Sequence, residues 1–183
     1  MAAAAVPARA VVSDGINPAL RERALAAFAA HRDKLAHADV MGIVDYARAS
    51  KLPRFHLLDL VSGASETILV AHGKGSDPAH SGWLERFSNR HGSNASSSGA
   101  FLTAEAYVGA HGRSMRLDGL EPSNDAARDR AIVVHSASYV TKAHPKQHGK
   151  LGRSFGCFTV TAEDLPMVMT RLGAGQLLYS DKV

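Results

Sequence analysis

Cysteine is nearly missing from this chain of 183 residues: there is one, Cys157, so no internal disulfide can form. In a secreted protein a leftover cysteine points to intermolecular pairing or to a reactive thiol. Aromatic residues make up only 6% and form no stacking pattern among basic residues. No Lys/Arg run approaches a nucleic-acid footprint, so nucleic acid is not an expected partner. No apolar run reaches the length that spans a bilayer. Cys-x-x-Cys is absent, which argues against a thiol-redox protein, and so is the zinc-protease pattern His-Glu-x-x-His. GKGSDPAHSG fails as a phosphate loop, because no Gly-Lys-Ser/Thr follows at the required gap and no helix start succeeds it. There is no internal repeat.

Hydrophobic residues at 45% and charged residues at 21% are the composition of an ordinary globular domain. A chain of this size buries a core without disulfides or a structural metal. The formal charge of +4 suits an anionic polymer such as a cell wall as well as it suits nucleic acid, and alone it decides nothing. The opening stretch 1–10 lacks the charged and long apolar regions of a signal peptide. Its small residues resemble a signal cleavage site, so the expectation is a mature secreted chain with a new start Met and a flexible tail over 1–16.

Asn17-Pro18 is a helix start, with Asn at the N-cap and Pro in the first turn. Apolar residues at Leu20, Ala24, Leu25, Phe28 and Leu35 predict a helix over 18–37. Short runs at 40–46, 54–60 and 66–71, parted by turn residues, predict an antiparallel meander. The Gly-, Ser-, His- and Asn-rich stretch 72–99 reads as an ordered surface loop, since Trp83, Leu84 and Phe87 lie within it. Strands are expected at 100–107, 114–120, 131–135, 158–160 and 176–179. A short helix over 124–130, capped by Ser123, and a helix over 162–172, opened by Thr161 and closed by Gly173, complete the pattern. The fold class is α+β: a sandwich-like mixed sheet with an N-terminal and a C-terminal helix, forming one domain over 17–183.

Two segments carry chemistry. Ala131-Ile-Val-Val-His135 delivers a histidine at a strand end, and Gly-Arg-Ser-Phe-Gly-Cys-Phe-Thr-Val160 places the lone thiol in a glycine loop that opens the next strand. A thiolate needs a cationic or hydrogen-bonding environment, which a nearby His supplies by taking the proton. Gly156 permits a backbone turn that aims consecutive N–H groups at one point, as an oxyanion hole requires. The residues alone leave a second reading open: Cys157 as a small buried hydrophobe and His135 as a satisfied structural histidine. Arg153 suits a peptide carboxylate as well as an acidic surface neighbour. Tyr139 and Ser138 follow the His strand and are candidates for the cleft wall. Ser96-Ser97-Ser98-Gly99 reads as a turn. The ten histidines do not make a metal site: His144 and His148 have i, i+4 spacing, but Pro145 and Gly149 argue against a helix there. No metal or cofactor is expected.

IVVHSA together with GRSFGCFTV resembles the active-site signature of the L,D-transpeptidase catalytic domain. Ser154, Gly156, Cys157 and Phe158 match; Phe155 stands where the family has a second His, and Thr159 where it usually has Asn. The gap from His135 to Ser154 holds 18 residues, slightly more than usual. VAHGKGSDPAHSG, RFSNRHGSNASSSGAF and the segment ending IVVHSASYV recur in a divergent branch, so the resemblance spans 42–181. It implies that Cys157 attacks the carbonyl of the third residue of a peptidoglycan tetrapeptide stem and expels D-alanine. His135 would act as base and acid, the Ser136 carbonyl would orient its ring, and the Gly156 and Cys157 N–H groups would form part of the oxyanion hole. Arg153, Ser154 and Tyr139 would contact substrate. His111, His144 or His148 would stand in for the missing histidine. An amine of a second stem peptide would resolve the thioester as a 3→3 cross-link, in the periplasm or an equivalent wall compartment. Donor and acceptor stem peptides are thus the expected partners; the oligomeric state is not legible. An L,D-carboxypeptidase, with water as acceptor, needs the same residues, and a non-catalytic wall-binding module would have no use for a lone thiol in a glycine loop.

Overall fold

The computed structural model describes residues 15–183. The chain runs through α1 (Pro18–Ala30), β1 (Val40–Asp45), β2 (Phe55–Asp59), β3 (Ser65–Ile68), β4 (Gly99–Gly109), β5 (Gly112–Gly119), β6 (Val133–Ser136), α2 (His144–His148), β7 (Phe158–Val160), α3 (Leu165–Leu172) and β8 (Leu177–Asp181). All eight strands form one mixed sheet in the order β3-β2-β1-β8-β4-β5-β6-β7. The β1–β2–β3 meander is antiparallel, whereas β1–β8 and β6–β7 are parallel. The sheet curls until its two ends meet: the Ala71 N–H, just past β3, donates to the Thr159 carbonyl of β7 at 2.9 Å.

Alternation along the strands sorts side chains into the two faces of the curl. Val40, Val44, Phe55, Leu57, Phe101, Leu117, Val134, Phe158 and Leu178 point inward to one large core, which Val168, Met169 and Leu172 of α3 complete. Met41, Ile43, Leu58, Leu177 and Tyr179 point outward and are covered by Leu20, Ala24 and Ala27 of α1. Gly42 lies on the inner face, where an added Cβ would sit 2.6 Å from Leu178 and 2.9 Å from Phe55. Burial on both faces explains why β1 reads as an unbroken apolar run rather than an alternating one.

Asn17 caps α1 through Oδ1, which accepts from the Ala19 and Leu20 N–H groups at 2.9 and 3.4 Å. The helix ends at Ala30 rather than 37, and a 3-10 turn (Arg32–Lys34) follows so that the chain can reverse into β1. The expected helix over 124–130 is a string of turns. Its would-be caps are engaged elsewhere: Ser123 Oγ donates to the Ser98 carbonyl, and Asn124 donates through Nδ2 to Ala100 and accepts at Oδ1 from the Glu121 N–H. The segment 144–148, expected to be irregular, is a one-turn helix. Pro145 occupies its first turn, where no N–H is needed, and Gly149 caps it at φ 70°. α3 starts at Leu165 rather than 162, because Thr161 and Asp164 bond reciprocally just before it. Part of the expected tail, 1–14, lies outside the described residues; Ile16 is buried beneath α1.

Candidate active site

The loop that leads to Cys157 is stitched to the segment after β3. The Ser154 N–H donates to the His72 carbonyl at 3.0 Å, and the Lys74 N–H donates to the Ser154 carbonyl at 2.8 Å. Ser154 Oγ then donates to the Cys157 carbonyl at 2.8 Å and accepts the Gly156 N–H at 3.1 Å. Ser154 is thus the clasp of the turn. Its bond also corrects one expectation: the Gly156 N–H, assigned to an oxyanion hole, faces a hydroxyl of its own loop. What Gly156 supplies is backbone freedom, since its φ of +118° disfavours a side chain and a Cβ would lie 2.7 Å from the Ala95 carbonyl. This turn sets Cys157 at the mouth of β7, only 9% exposed, with Sγ donating to the Ala131 carbonyl at 3.5 Å.

β6 presents His135 on the same side. Register pairs His135 with Thr159, and strand alternation puts Cys157, two residues before Thr159, on that face as well. His135 Nδ1 lies 2.9 Å from the Ser136 carbonyl, which can only accept, so the ring proton sits on Nδ1. Nε2 is therefore bare and accepts from Thr159 Oγ1 at 3.1 Å. Burial lowers the His135 pKa; the Ser136 bond opposes this, and the neighbouring His111 ring adds to the lowering. The imidazole is neutral at neutral pH, as a base must be. In this conformation Cys157 Sγ and His135 Nε2 are bonded to Ala131 and Thr159 respectively, not to each other.

His111, from the β4–β5 turn, stacks on His135 with ring centroids 4.4 Å apart and planes at 22°. Of the three histidines considered as substitutes it is the one beside the site; His144 and His148 pack on each other, 4.4 Å apart. Phe155, in place of the family His, is exposed and lies under the Lys74 ammonium, 4.3 Å from its ring centre. Among the described residues no three His, Cys, Asp or Glu side chains converge to hold a metal.

Burial pushes the Cys157 thiol pKa up, while the Val133 N–H and the Arg130 charge pull it back. Arg130 was not singled out from the sequence. Its guanidinium donates to the Ser88 and Ala95 carbonyls at 2.9 and 2.7 Å and to the Ser97 and Ser93 hydroxyls at 2.6 and 3.2 Å. It therefore ties the Ser-rich loop to the turn before Cys157: a Cβ on Gly156 would lie 3.3 Å from its Nη2. Its place directly before the His strand was the only available signal.

Arg153 donates to the Pro78 carbonyl at 3.2 Å and to the Asp77 carbonyl, so it braces a loop at the site's edge. Tyr139 lies 3.4 Å through its hydroxyl from Thr159 Oγ1 and packs on Gly152, where a Cβ would come within 2.5 Å. Ser138 and Ser136 line a cavity of about 310 Å³ at the ends of β6 and β7. Ser96 and Ser97 are buried rungs rather than turn residues: Ser96 Oγ accepts the Gly73 N–H and Ser97 Oγ donates to Ser88.

Beneath the loop lies a buried charged chain. Arg54 donates to Val70, Arg48 and His72 Nδ1, the last at 3.0 Å, and stacks over Tyr46. Because Nδ1 accepts, Nε2 carries the proton and donates to Asp77 Oδ2 at 3.2 Å. Asp77 also accepts the Ser81 and Gly82 N–H groups at 2.7 and 2.8 Å. Desolvation and the adjacent Arg54 charge lower the His72 pKa to about 4. The HGKGSD motif is thus a structural brace for the segment that holds Ser154.

A curled mixed sheet thus sets the one cysteine of the chain at the start of β7 and a carbonyl-oriented histidine on β6, its parallel neighbour. The chain belongs to the family of the L,D-transpeptidase catalytic domain, whose model matches residues 13–180. Among solved structures it is similar to an L,D-transpeptidase from Mycobacterium smegmatis, with 14% identity over 79% of this chain and 59% of that one, TM-score 0.45. L,D-transpeptidase 3 from Mycobacterium tuberculosis gives 13% identity over 79% and 61%, TM-score 0.48. Bd1075 from Bdellovibrio bacteriovorus gives 11% over 79% and 48%, TM-score 0.47. The chain thus spans about three-fifths or less of the length of these proteins. No curated protein matches it by sequence. No helix among the described residues is long and apolar enough to cross a membrane.

Proposed function

We propose that the protein is a cysteine acyltransferase that acts on peptidoglycan stem peptides, outside the cytoplasmic membrane where such peptides lie. The observation that carries this is His135, buried and neutral, with Nδ1–H fixed on the Ser136 carbonyl and a bare Nε2 on the face shared with Cys157. Once Sγ turns from the Ala131 carbonyl towards Nε2, the thiol proton passes to the imidazole. Catalytic hydrogen bonds are often completed only when substrate is bound. The sulfur attacks the carbonyl of the third stem residue, and the Cys157 N–H is the backbone donor assigned to the resulting oxyanion. Collapse breaks the bond to D-alanine, whose amine takes the proton from His135 and leaves a thioester. The amine of a second stem peptide then attacks that thioester, His135 taking its proton and returning it to the sulfur. Thr159, between Nε2 and Tyr139, holds the ring in place until the thiol replaces it, and Arg153 and Ser154 shape the loop.

The test is incubation with a tetrapeptide muropeptide and mass analysis of the products, with Cys157→Ala alongside. Wild type is expected to release D-alanine and the variant is not. A cross-linked dimer marks the transferase, and a free tripeptide marks water as the acceptor. Release by both proteins, or by neither, sinks the mechanism.

A further inference from the structure

A second cavity, of about 480 Å³, opens beside the nucleophile loop; Gly75, Arg86, Arg90, His91, Ser93 and Ala95 are among the residues that line it. Its lining includes three basic side chains and no acidic one. Among the described residues neither Arg86 nor Arg90 forms an ion pair, in contrast to Arg23, Arg116, Arg128 and Arg171. Arg86 is fixed by Nε, which donates to the Gly75 carbonyl at 3.1 Å. A guanidinium held in this way offers a planar fork that matches a carboxylate by two parallel bonds. Positive charge gathered in a concavity, with no acidic residue in its lining, is an arrangement for an anionic ligand.

The cavity shares a wall with the nucleophile. Ser93 and Ala95 line it, and both are gripped by Arg130, at 3.2 and 2.7 Å. The Ala95 carbonyl is also the atom nearest to a Cβ built on Gly156, at 2.7 Å. On the surface, Phe155 of the nucleophile loop lies under Lys74, the chain neighbour of Gly75. Through Ala95 against Gly156 and Lys74 against Phe155, the segments that carry the Arg86/Arg90 cavity therefore pack on the loop that ends in Cys157.

We propose that this cavity is a carboxylate-binding subsite for the donor stem peptide, gripping the free α-carboxylate of its γ-linked glutamate. The proposal rests on the function stated above. The chemistry favours that carboxylate over the one on the terminal D-alanine. The glutamate stays with the acyl group through both steps, so charge recognition persists in the acyl-enzyme after alanine departs.

The test is calorimetric titration of the full chain carrying Cys157→Ala with two disaccharide-tetrapeptides, identical except that one has the glutamate α-carboxylate as its amide. The free acid is expected to bind about tenfold more tightly than the amide, the worth of one charge-assisted contact. Adding Arg86→Gln or Arg90→Gln should remove most of that gap, whereas Arg113→Gln, on the exposed β5 end, should preserve it. Equal affinity for acid and amide while wild type still releases D-alanine overturns the subsite alone. So does a gap that survives both Gln substitutions. No binding of either peptide, with no release of D-alanine by wild type, overturns the function and the subsite together.

Discussion

A thiol loses acidity when apolar atoms replace water around it, and Cys157 is 9% exposed. The Val133 N–H and the Arg130 guanidinium work against that loss. His135 does not contribute in this conformation, because its Nε2 is turned to Thr159. Arg130→Met should therefore raise the thiol pKa further, and Arg130→Lys should raise it less because the charge is kept. The pH dependence of iodoacetamide alkylation measures both, with the Met variant expected to react severalfold more slowly near neutral pH. Equal shifts in the two variants would mean that Arg130 acts only through the carbonyls it binds. The placing of His135 at a strand end, with its ring on the Ser136 carbonyl, was legible because the strand is marked by an apolar run and the two residues are chain neighbours. Arg130, Thr159 and His111 were legible as residue types but not as partners. Arg130 meets Cys157 across 27 positions and His111 meets His135 across a hairpin, and such meetings are fixed by strand register.

At the scale of the element, α1 shows what a terminal helix rests on. It has no acidic residue in its first turn, so Asn17 carries the cap alone. Asn17→Ala is expected to cost about 1 kcal/mol, read as a lower urea midpoint at unchanged slope. A loss of less than a few tenths would show that burial of Leu20, Ala24 and Ala27 fixes the helix without its cap. The Asn-Pro start and the apolar spacing were readable, and so were the three meander strands, because their turn residues punctuate them. The helix end was not. Leu35 continues the spacing, yet it joins the core after the chain has already turned through Arg32–Lys34. At 144–148 the two supposed breakers serve as a first-turn proline and a C-cap glycine, roles that one turn of helix accommodates. At 124–130 polar side chains that could cap a helix instead hydrogen-bond backbone across the loop, which local sequence does not reveal.

For the molecule as a whole, closure of the sheet is the organising event, and it depends on the segment that runs from β3 past Ala71 to Asp77. Ala71 joins β7, His72 and Lys74 hold Ser154, and the Arg54–His72–Asp77 chain lies underneath, its side chains 0–1% exposed. A proton on His72 would put a second cation 3.0 Å from the Arg54 guanidinium in a buried site. This makes closure sensitive to acid. The folded His72 pKa is about 4, against about 6.5 for an exposed histidine, so between those values the unfolded chain binds the extra proton. Stability from neutral His72 is complete above about pH 6.5 and is lost as pH falls towards 4, by about 3 kcal/mol in all. His72→Gln keeps one acceptor for Arg54 and one donor for Asp77 but cannot titrate. It should be less stable than wild type at pH 7, yet lose less between pH 7 and pH 4.5. Urea midpoints for both proteins across that range decide the matter. Parallel curves would place the acid sensitivity elsewhere, with His135 the next group to test because burial lowers its pKa as well. If the curves converge at low pH, the brace that closes the sheet is also what sets the acid limit of the Cys157 loop, because Ser154 is held by the His72 backbone itself.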